Sequence, residues 1–319
     1  MALTNFPNGV SSFGMPIVGA GGVMTTGTVF FVSSVTGSNG NSGFDKDNPL
    51  ADLDTAVGKC TANKGDVIFL MPNHAEAVSA AAGVVLDIAG ISVISLGTGT
   101  DRATFTFGTT EAADVDITGD NITVQNVVFD LTGITAVAAG IDVDAQYAHL
   151  DKCEVVGADA SGIAVIWIDV GDSSHGFKLT NSFLTGTTDA GAADAINVNG
   201  ACNNLVIEDS TIYGSFSNAA LSVSAAGLQY SIKRNAIGNN LDDKAPVNLG
   251  ATSVVTGFYS DNRIGIATSH ATAFTYNVGQ AWAFENYTAV LSFNTMSGIL
   301  YPAVYSTSDA RLKRDVVYM

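Results

Sequence analysis

The segment ITGDNITVQNVVF, residues 117–129, holds two short apolar bursts joined by Gly119-Asp120-Asn121. In the second burst Ile122, Val124 and Val127 alternate only loosely with polar neighbours, and Asn126 sits near its centre. The same shape, apolar-x-x-x-x-apolar with Asn or Asp often at the third place, returns at Leu150–Val155, Leu179–Leu184, Ile207–Ile212, Ile232–Ile237 and Tyr259–Ile264. Successive first residues are 26, 29, 28, 25 and 27 apart. Ile91–Leu96 reads as an earlier copy and Leu291–Met296 as a later, less regular one. A second strand pattern precedes most copies: DVDIT at 114, IDVDA at 141, IWIDV at 166, INVNG at 196 and LSVSA at 221.

Self-similarity at a period of roughly 20 to 50 residues marks solenoids, propellers or arrays. No repeat carries a helix of its own, which removes leucine-rich and α-solenoid architectures, and a propeller blade needs roughly 40 residues. One coil of a parallel β-helix fits best. Equivalent residues of neighbouring coils then lie about 4.8 Å apart. Val124, Leu150, Leu179, Ile207 and Ile232 form an inward column. No single coil can bury its apolar face alone, so stacking supplies the core.

The first 78 residues are organised differently. Residues 1–44 contain no Asp, Glu, Lys, Arg or His. The arm, residues 1–28, carries isolated anchors at Leu3, Phe6, Phe13, Met15, Ile17 and Val18, too few for a core of its own. Such an arm suits docking along another protein; a frayed tail, or an arm folded on its own domain, is the plainer reading. Residues 29–78 give a strand at Val29–Val32, a Gly/Asn/Ser turn, a helix from Pro49 to about Ala62 with Leu50, Leu53, Ala56, Val57 and Cys60 on one face, and a returning strand in KGDVIFLMP. A short amphipathic helix can cover the open apolar end and the unpaired edge that a stack of coils leaves. Residues 79–264 are the coils, and 265–319 form further coils or a trimerising cap that ends in a small basic tail, Arg311, Lys313 and Arg314.

Composition narrows the function. The chain has 319 residues, is 47% hydrophobic and only 13% charged, and has 34 glycines, a β-rich and turn-rich balance. A formal charge of −17 repels phosphate, which argues against nucleic-acid binding. Cys60, Cys153 and Cys202 are odd in number and widely spaced. They read as buried free thiols of a protein assembled in a reducing cytoplasm, not as a disulfide framework or zinc site. No signal-peptide pattern opens the chain, and its longest apolar stretch, AAAGVVLDIAGISVISLG, reads as strands, not as a membrane helix.

The candidate chemistry lies in the preceding strands. Asp114, Asp142, Asp169, Asn197 and Ser222 fall at similar places in successive coils, and Asp116, Asp144, Asn199 and Ser224 form a parallel row. Side-chain alternation turns both rows outward, with Val115, Val143, Ile168, Val198 and Val223 facing in. Stacked carboxylates repel, so they must be hydrated, partly protonated or share a cation. Asp114, Asp116, Asp142, Asp144 and Asp169 are oxygen-rich enough to suit calcium, the only cofactor the sequence suggests. Were the protein an enzyme, Asp114, Asp142, Asp144 and Asp169 would be its catalytic carboxylates, on a polysaccharide hydrolase or lyase. A solvated polar face is the plainer alternative. His74 shares a strand face with Glu76, His149 and His270 are isolated, and all read as structural or surface residues. SSHGFKL around His175 is similar to the His-Gly element of polygalacturonases, but their Asn-Thr-Asp, paired Asp-Asp and Arg-Ile-Lys elements are missing. No nucleophile elbow, Walker loop, zinc helix or dinucleotide fingerprint is present.

The order strand, glycine-rich turn, capping helix and GDVIFLMP resembles the opening of right-handed parallel β-helix proteins of the pectate-lyase-like type, with Asn73 where they commonly have Gly. With FPNGVSSFG, VFFVSSVTGSNGNSG and GDVIFLMPNHAEAV, nearly the whole chain resembles β-helical virion proteins of tailed bacteriophages. That resemblance implies a homotrimer on the virion surface. The protein would be a capsid decoration or other head-associated protein held to the major capsid protein or another virion protein by its arm. The alternative it implies is a tailspike-like protein that binds or cleaves host surface polysaccharide. Neither role calls for nucleic acid or membrane insertion.

Overall fold

The computed structural model describes residues 25–80, 83–108, 113–133, 136–157, 163–186, 192–241, 244–249 and 255–266, with strand segments at 10–12, 15–17, 274–276, 280–284, 286–290 and 299–300. The chain is an all-β parallel solenoid. Each full coil places one strand in each of three sheets: sheet 1 and sheet 2 have ten strands each and sheet 3 has eight, with parallel neighbours in a sheet one coil apart. The expected column is present and longer than the repeat suggests. Phe30, Ile68, Val93, Val124, Leu150, Leu179, Ile207, Ile232 and Tyr259 pair in register along sheet 1 and are all buried. Val93, not Ile91, holds the earlier place, so Ile91–Leu96 is not a further copy.

The second apolar residue of each repeat belongs to sheet 2, where Phe105, Phe129, Val155, Leu184, Ile212, Ile237 and Ile264 form the next column. The repeat is therefore a corner. Its third place turns the chain from sheet 1 to sheet 2, and each residue there has a positive φ: Asn126 62°, Lys152 55°, Asn181 53°, Asp209 54°, Arg234 56° and Asp261 58°. Asn and Asp tolerate that region best, which explains their recurrence. Lys and Arg occupy it at a cost of about 1 kcal/mol.

The fourth place is buried and holds a ladder along the coils. The backbone N–H of Cys153 donates to Ser182 Oγ at 3.1 Å, that of Ser182 to Ser210 Oγ at 3.1 Å, and that of Ser210 to Asn235 Oδ1 at 3.0 Å. Asn235 N–H donates to Asn262 Oδ1 at 2.9 Å and Asn262 N–H to Asn286 Oδ1 at 3.0 Å. Backbone groups that leave the sheets at the corner are thereby satisfied inside the protein.

The open end is capped, but by less helix than the apolar spacing predicts. Helix α1 runs only from Leu53 to Val57, where Leu53, Ala56 and Val57 are buried. Asp52 caps it by accepting from Thr55 N–H at 2.8 Å. Leu50 instead bridges to Val32 as an extension of sheet 1, and the helix stops at Gly58. Asp54 Oδ1 accepts from Val85 N–H at 3.1 Å and Glu76 Oε1 from Leu53 N–H at 2.5 Å, which ties the cap to the first full coil. In the arm, Val10–Ser12 and Met15–Ile17 pair antiparallel, so this stretch is a hairpin rather than one extended strand. Leu3, Phe6, Phe13 and Val18 lie outside the described residues, as do His270, Leu291–Met296 and the basic tail. Coils continue past 264: Phe274–Tyr276, Gln280–Phe284 and Asn286–Val290 extend the three sheets, and Ile299–Leu300 closes sheet 2 antiparallel. Among the described residues no helix is long and apolar enough to cross a membrane.

Candidate functional site on sheet 3

The outer face of sheet 3 gathers the acidic residues, in a register two residues off the one that the sequence pattern predicts for the coil of Asp114. Asp116, Asp142, Asp169, Asn197, Ser222 and Asn248 pair in one row. Asp114 is not the partner of Asp142; it lies two residues before Asp116. A shift of two leaves every side chain on its original face, so alternation cannot detect the slip. Asp144 lies beyond the row and is exposed, and a Cβ at Gly171 in the next coil would stand 2.0 Å from its Oδ1. The residues named as inward are buried, although Val115 and Ile168 belong to one column and Val143, Val198 and Val223 to the next.

The structure does bring the five carboxylates into one field. Partial burial first, and then the charges of Asp144, Asp169, Asp116 and Asp114, push the Asp142 carboxyl up to about 6. Asp116 is raised by burial and by Asp114 and Asp144. Burial also raises Asp169, although Asn199 and Asn197 donate to its two oxygens at 2.7 and 3.2 Å. A sixth carboxyl escaped the repeat pattern. Asp194, only 4% exposed, is pushed up to about 6 mainly by burial and accepts from Asn218 Nδ2 at 2.8 Å and Ala219 N–H at 3.1 Å. Its signal in sequence was an Asp three residues before a ladder Asn in DAIN. The face thus combines carboxyls that hold protons near neutrality with amides that orient them, the raw material of general acid–base chemistry. Among the described residues no three His, Cys, Asp or Glu side chains gather as a metal site requires.

The three described histidines make hydrogen bonds within the fold. His74 is fully buried, accepts from Ser34 N–H at Nδ1 at 3.0 Å, and sets Nε2 2.8 Å from Glu76 Oε1 beside the cap. His149 Nε2 meets Thr180 Oγ1 at 2.8 Å on sheet 1, and His175 Nδ1 accepts from Asn203 N–H at 3.1 Å. All three cysteines are free. Burial pushes the Cys60 and Cys153 thiols up to about 12 and that of Cys202 up to about 11, so none is poised as a thiolate nucleophile. Trp167 is buried against Phe216, ring centroids 4.9 Å apart, and is no sugar platform.

The class that this geometry defines is the three-sheet parallel β-helix. No family model and no curated protein matches the chain. Among solved structures, a rhamnogalacturonan lyase aligns over 86% of this chain and 90% of its own at 12% identity and TM-score 0.50, a likeness of fold. ORF18 of Geobacillus virus E2 aligns over 77% of this chain and 59% of its own at 10% identity and TM-score 0.30. A GH136 lacto-N-biosidase from Eubacterium ramulus aligns over 83% and 68% at 10% identity and TM-score 0.20.

Proposed function

We propose that the protein is a structural component of a bacteriophage virion, a trimeric capsid decoration or other head-associated protein on the virion surface, assembled in the host cytoplasm and attached through its N-terminal arm. The observation that carries this reading is the division of the chain. Residues 1–28, like the first coil up to residue 44, are free of charge while the whole carries −17, so an uncharged arm precedes an acidic, hydrated rod. A stack with a continuous core and a capped first coil gives the arm a body to attach, and the arm would dock on the major capsid protein or another virion protein. Deleting residues 1–28 is expected to abolish attachment to capsids while leaving the β-sheet circular dichroism unchanged. Attachment by the truncated protein would refute the role of the arm.

A tailspike-like reading rests on Asp142 and Asp194, two carboxyls pushed up to about 6 on one sheet. In that reading the sheet 3 face binds or cleaves host surface polysaccharide. Incubation with host capsular polysaccharide or lipopolysaccharide, followed by assays for reducing ends and unsaturated uronates, separates the two readings.

A further inference from the structure

We propose a second, independent site, a binding cleft for neutral oligosaccharide at the corner between sheets 1 and 2. It rests on no assumption about the virion or about sheet 3. In later coils the corner takes two residues, such as Asn126-Val127. In the coil of Ser92–Ser95 and Thr104–Phe107 it takes eight, 96–103. The surplus folds into a compact wall. Gly97 permits it, because a Cβ there would stand 1.8 Å from the Asp101 carbonyl oxygen. Asn126 Nδ2 fastens the wall by donating to the carbonyls of Ser95 at 2.9 Å and Gly97 at 2.8 Å, and Asn73 N–H donates to Asp101 O at 2.8 Å.

Between this wall and the outer face of sheet 2 lies a cleft of about 530 Å³. Arg102 reaches from the wall past one coil to pair with Glu154. One coil further, on the row of Glu154, stands Phe183, 56% exposed. Thr98 and Thr185 add hydroxyls at opposite sides of the lining. An open groove with one exposed aromatic ring and several polar side chains along its lining can seat an extended ligand. The ring offers a flat surface for the C–H face of a sugar, and the ion pair and threonines offer donors and acceptors to its hydroxyls. Arg102 and Glu154 cancel in charge, and a body of −17 repels anions, so the class favoured is a neutral hexose oligomer rather than a uronate.

Saturation-transfer NMR with maltohexaose, cellohexaose and isomaltohexaose, beside tri-galacturonate, tests this on the full chain. Transfer to at least one neutral hexaose is expected. Phe183→Ala should weaken that binding about fivefold to tenfold, the loss expected for one aromatic platform. Arg102→Ala should weaken it as well. Tyr147→Ala, an aromatic 52% exposed elsewhere, should leave it intact. Circular dichroism confirms that each variant is folded. No transfer from any neutral probe at about 10 millimolar, transfer unaffected by Phe183→Ala, or stronger binding of tri-galacturonate would each overturn the proposal.

Discussion

Replacing Asn235 by alanine tests whether the buried ladder, and not the apolar columns alone, holds the coils in register. Asn235 is 1% exposed and serves three neighbours. Its Oδ1 accepts from Ser210 N–H at 3.0 Å, and its Nδ2 donates to Ile207 O at 2.7 Å and to Asn262 Oδ1 at 3.1 Å. Alanine leaves the Ser210 N–H and the Ile207 carbonyl without these partners; Asn262 Oδ1 keeps the Asn235 N–H at 2.9 Å. Two buried backbone groups at roughly 1–3 kcal/mol each, plus the void left by the amide, give a loss of about 4 kcal/mol. Serine supplies an internal control. At position 210 it already accepts the preceding rung's N–H and donates to Glu208 O at 2.9 Å. Asn235→Ser should therefore restore the Ser210 bond, leave Ile207 O unpaired, and recover about half the loss. Equilibrium unfolding in guanidinium chloride, followed by tryptophan fluorescence and far-ultraviolet circular dichroism, reads both variants. A loss under about 1 kcal/mol for Asn235→Ala, or a serine variant no better than alanine, would refute the ladder's role.

Other positions give sharper or opposite signs. Leu179→Ala, in the fully buried sheet 1 column, should cost about 2–5 kcal/mol in the same assay. Gly157→Ala puts a Cβ 2.0 Å from Trp167 Cζ2; with Trp167 only 3% exposed, overpacking should cost about 1–3 kcal/mol and red-shift the tryptophan emission. Asp142→Asn should stabilise. The folded carboxyl sits at about 6, above the roughly 4 of an unfolded Asp, so the folded state binds the extra proton and wild-type stability falls as pH rises through 6. Asparagine should remove the Asp142 share of that slope, leave the share of Asp194, and gain about 1 kcal/mol at pH 7.5 after solvent screening, as read from unfolding midpoints at pH 5 and 7.5.

The coil stack was legible because its signal is a fixed five-residue step between Val124 and Phe129, repeated in every later coil, and because apolar burial tolerates no slip onto the other face. The row of Asp116, Asp142 and Asp169 was legible in kind but not in register: DVD occurs at both 114–116 and 142–144, and a two-residue slip costs nothing in pattern. The helix was overdrawn because Leu50 carries the helical spacing while its backbone bridges to Val32, a long-range pairing that periodicity cannot see. The ladder stayed hidden because its place is filled in turn by Val127, Cys153, Ser182, Ser210, Asn235 and Asn262, residues of no single class whose shared property is position beside a left-handed corner. Asp194 and the wall at 97–102 depart from the repeat, and a reading built on repetition passes over whatever occurs once.

That contrast bears on function. Columns and ladder recur because stacking demands them, so they report the fold. Departures from the repeat are where a solenoid can carry something specific. Sheet 3 replaces carboxylates by Asn197, Ser222 and Asn248 in its later coils, so the repulsion is confined to the three rungs of Asp116, Asp142 and Asp169. A face shaped only for hydration gains nothing from holding three like charges in register against their mutual repulsion. If Asp142→Asn stabilises the rod and leaves attachment and glycan handling untouched, the carboxylates are a solvated surface and the virion reading accounts for the whole chain. If it stabilises the rod but abolishes cleavage of host polysaccharide, the strain is the mark of an active face, and the arm becomes the anchor of an enzyme.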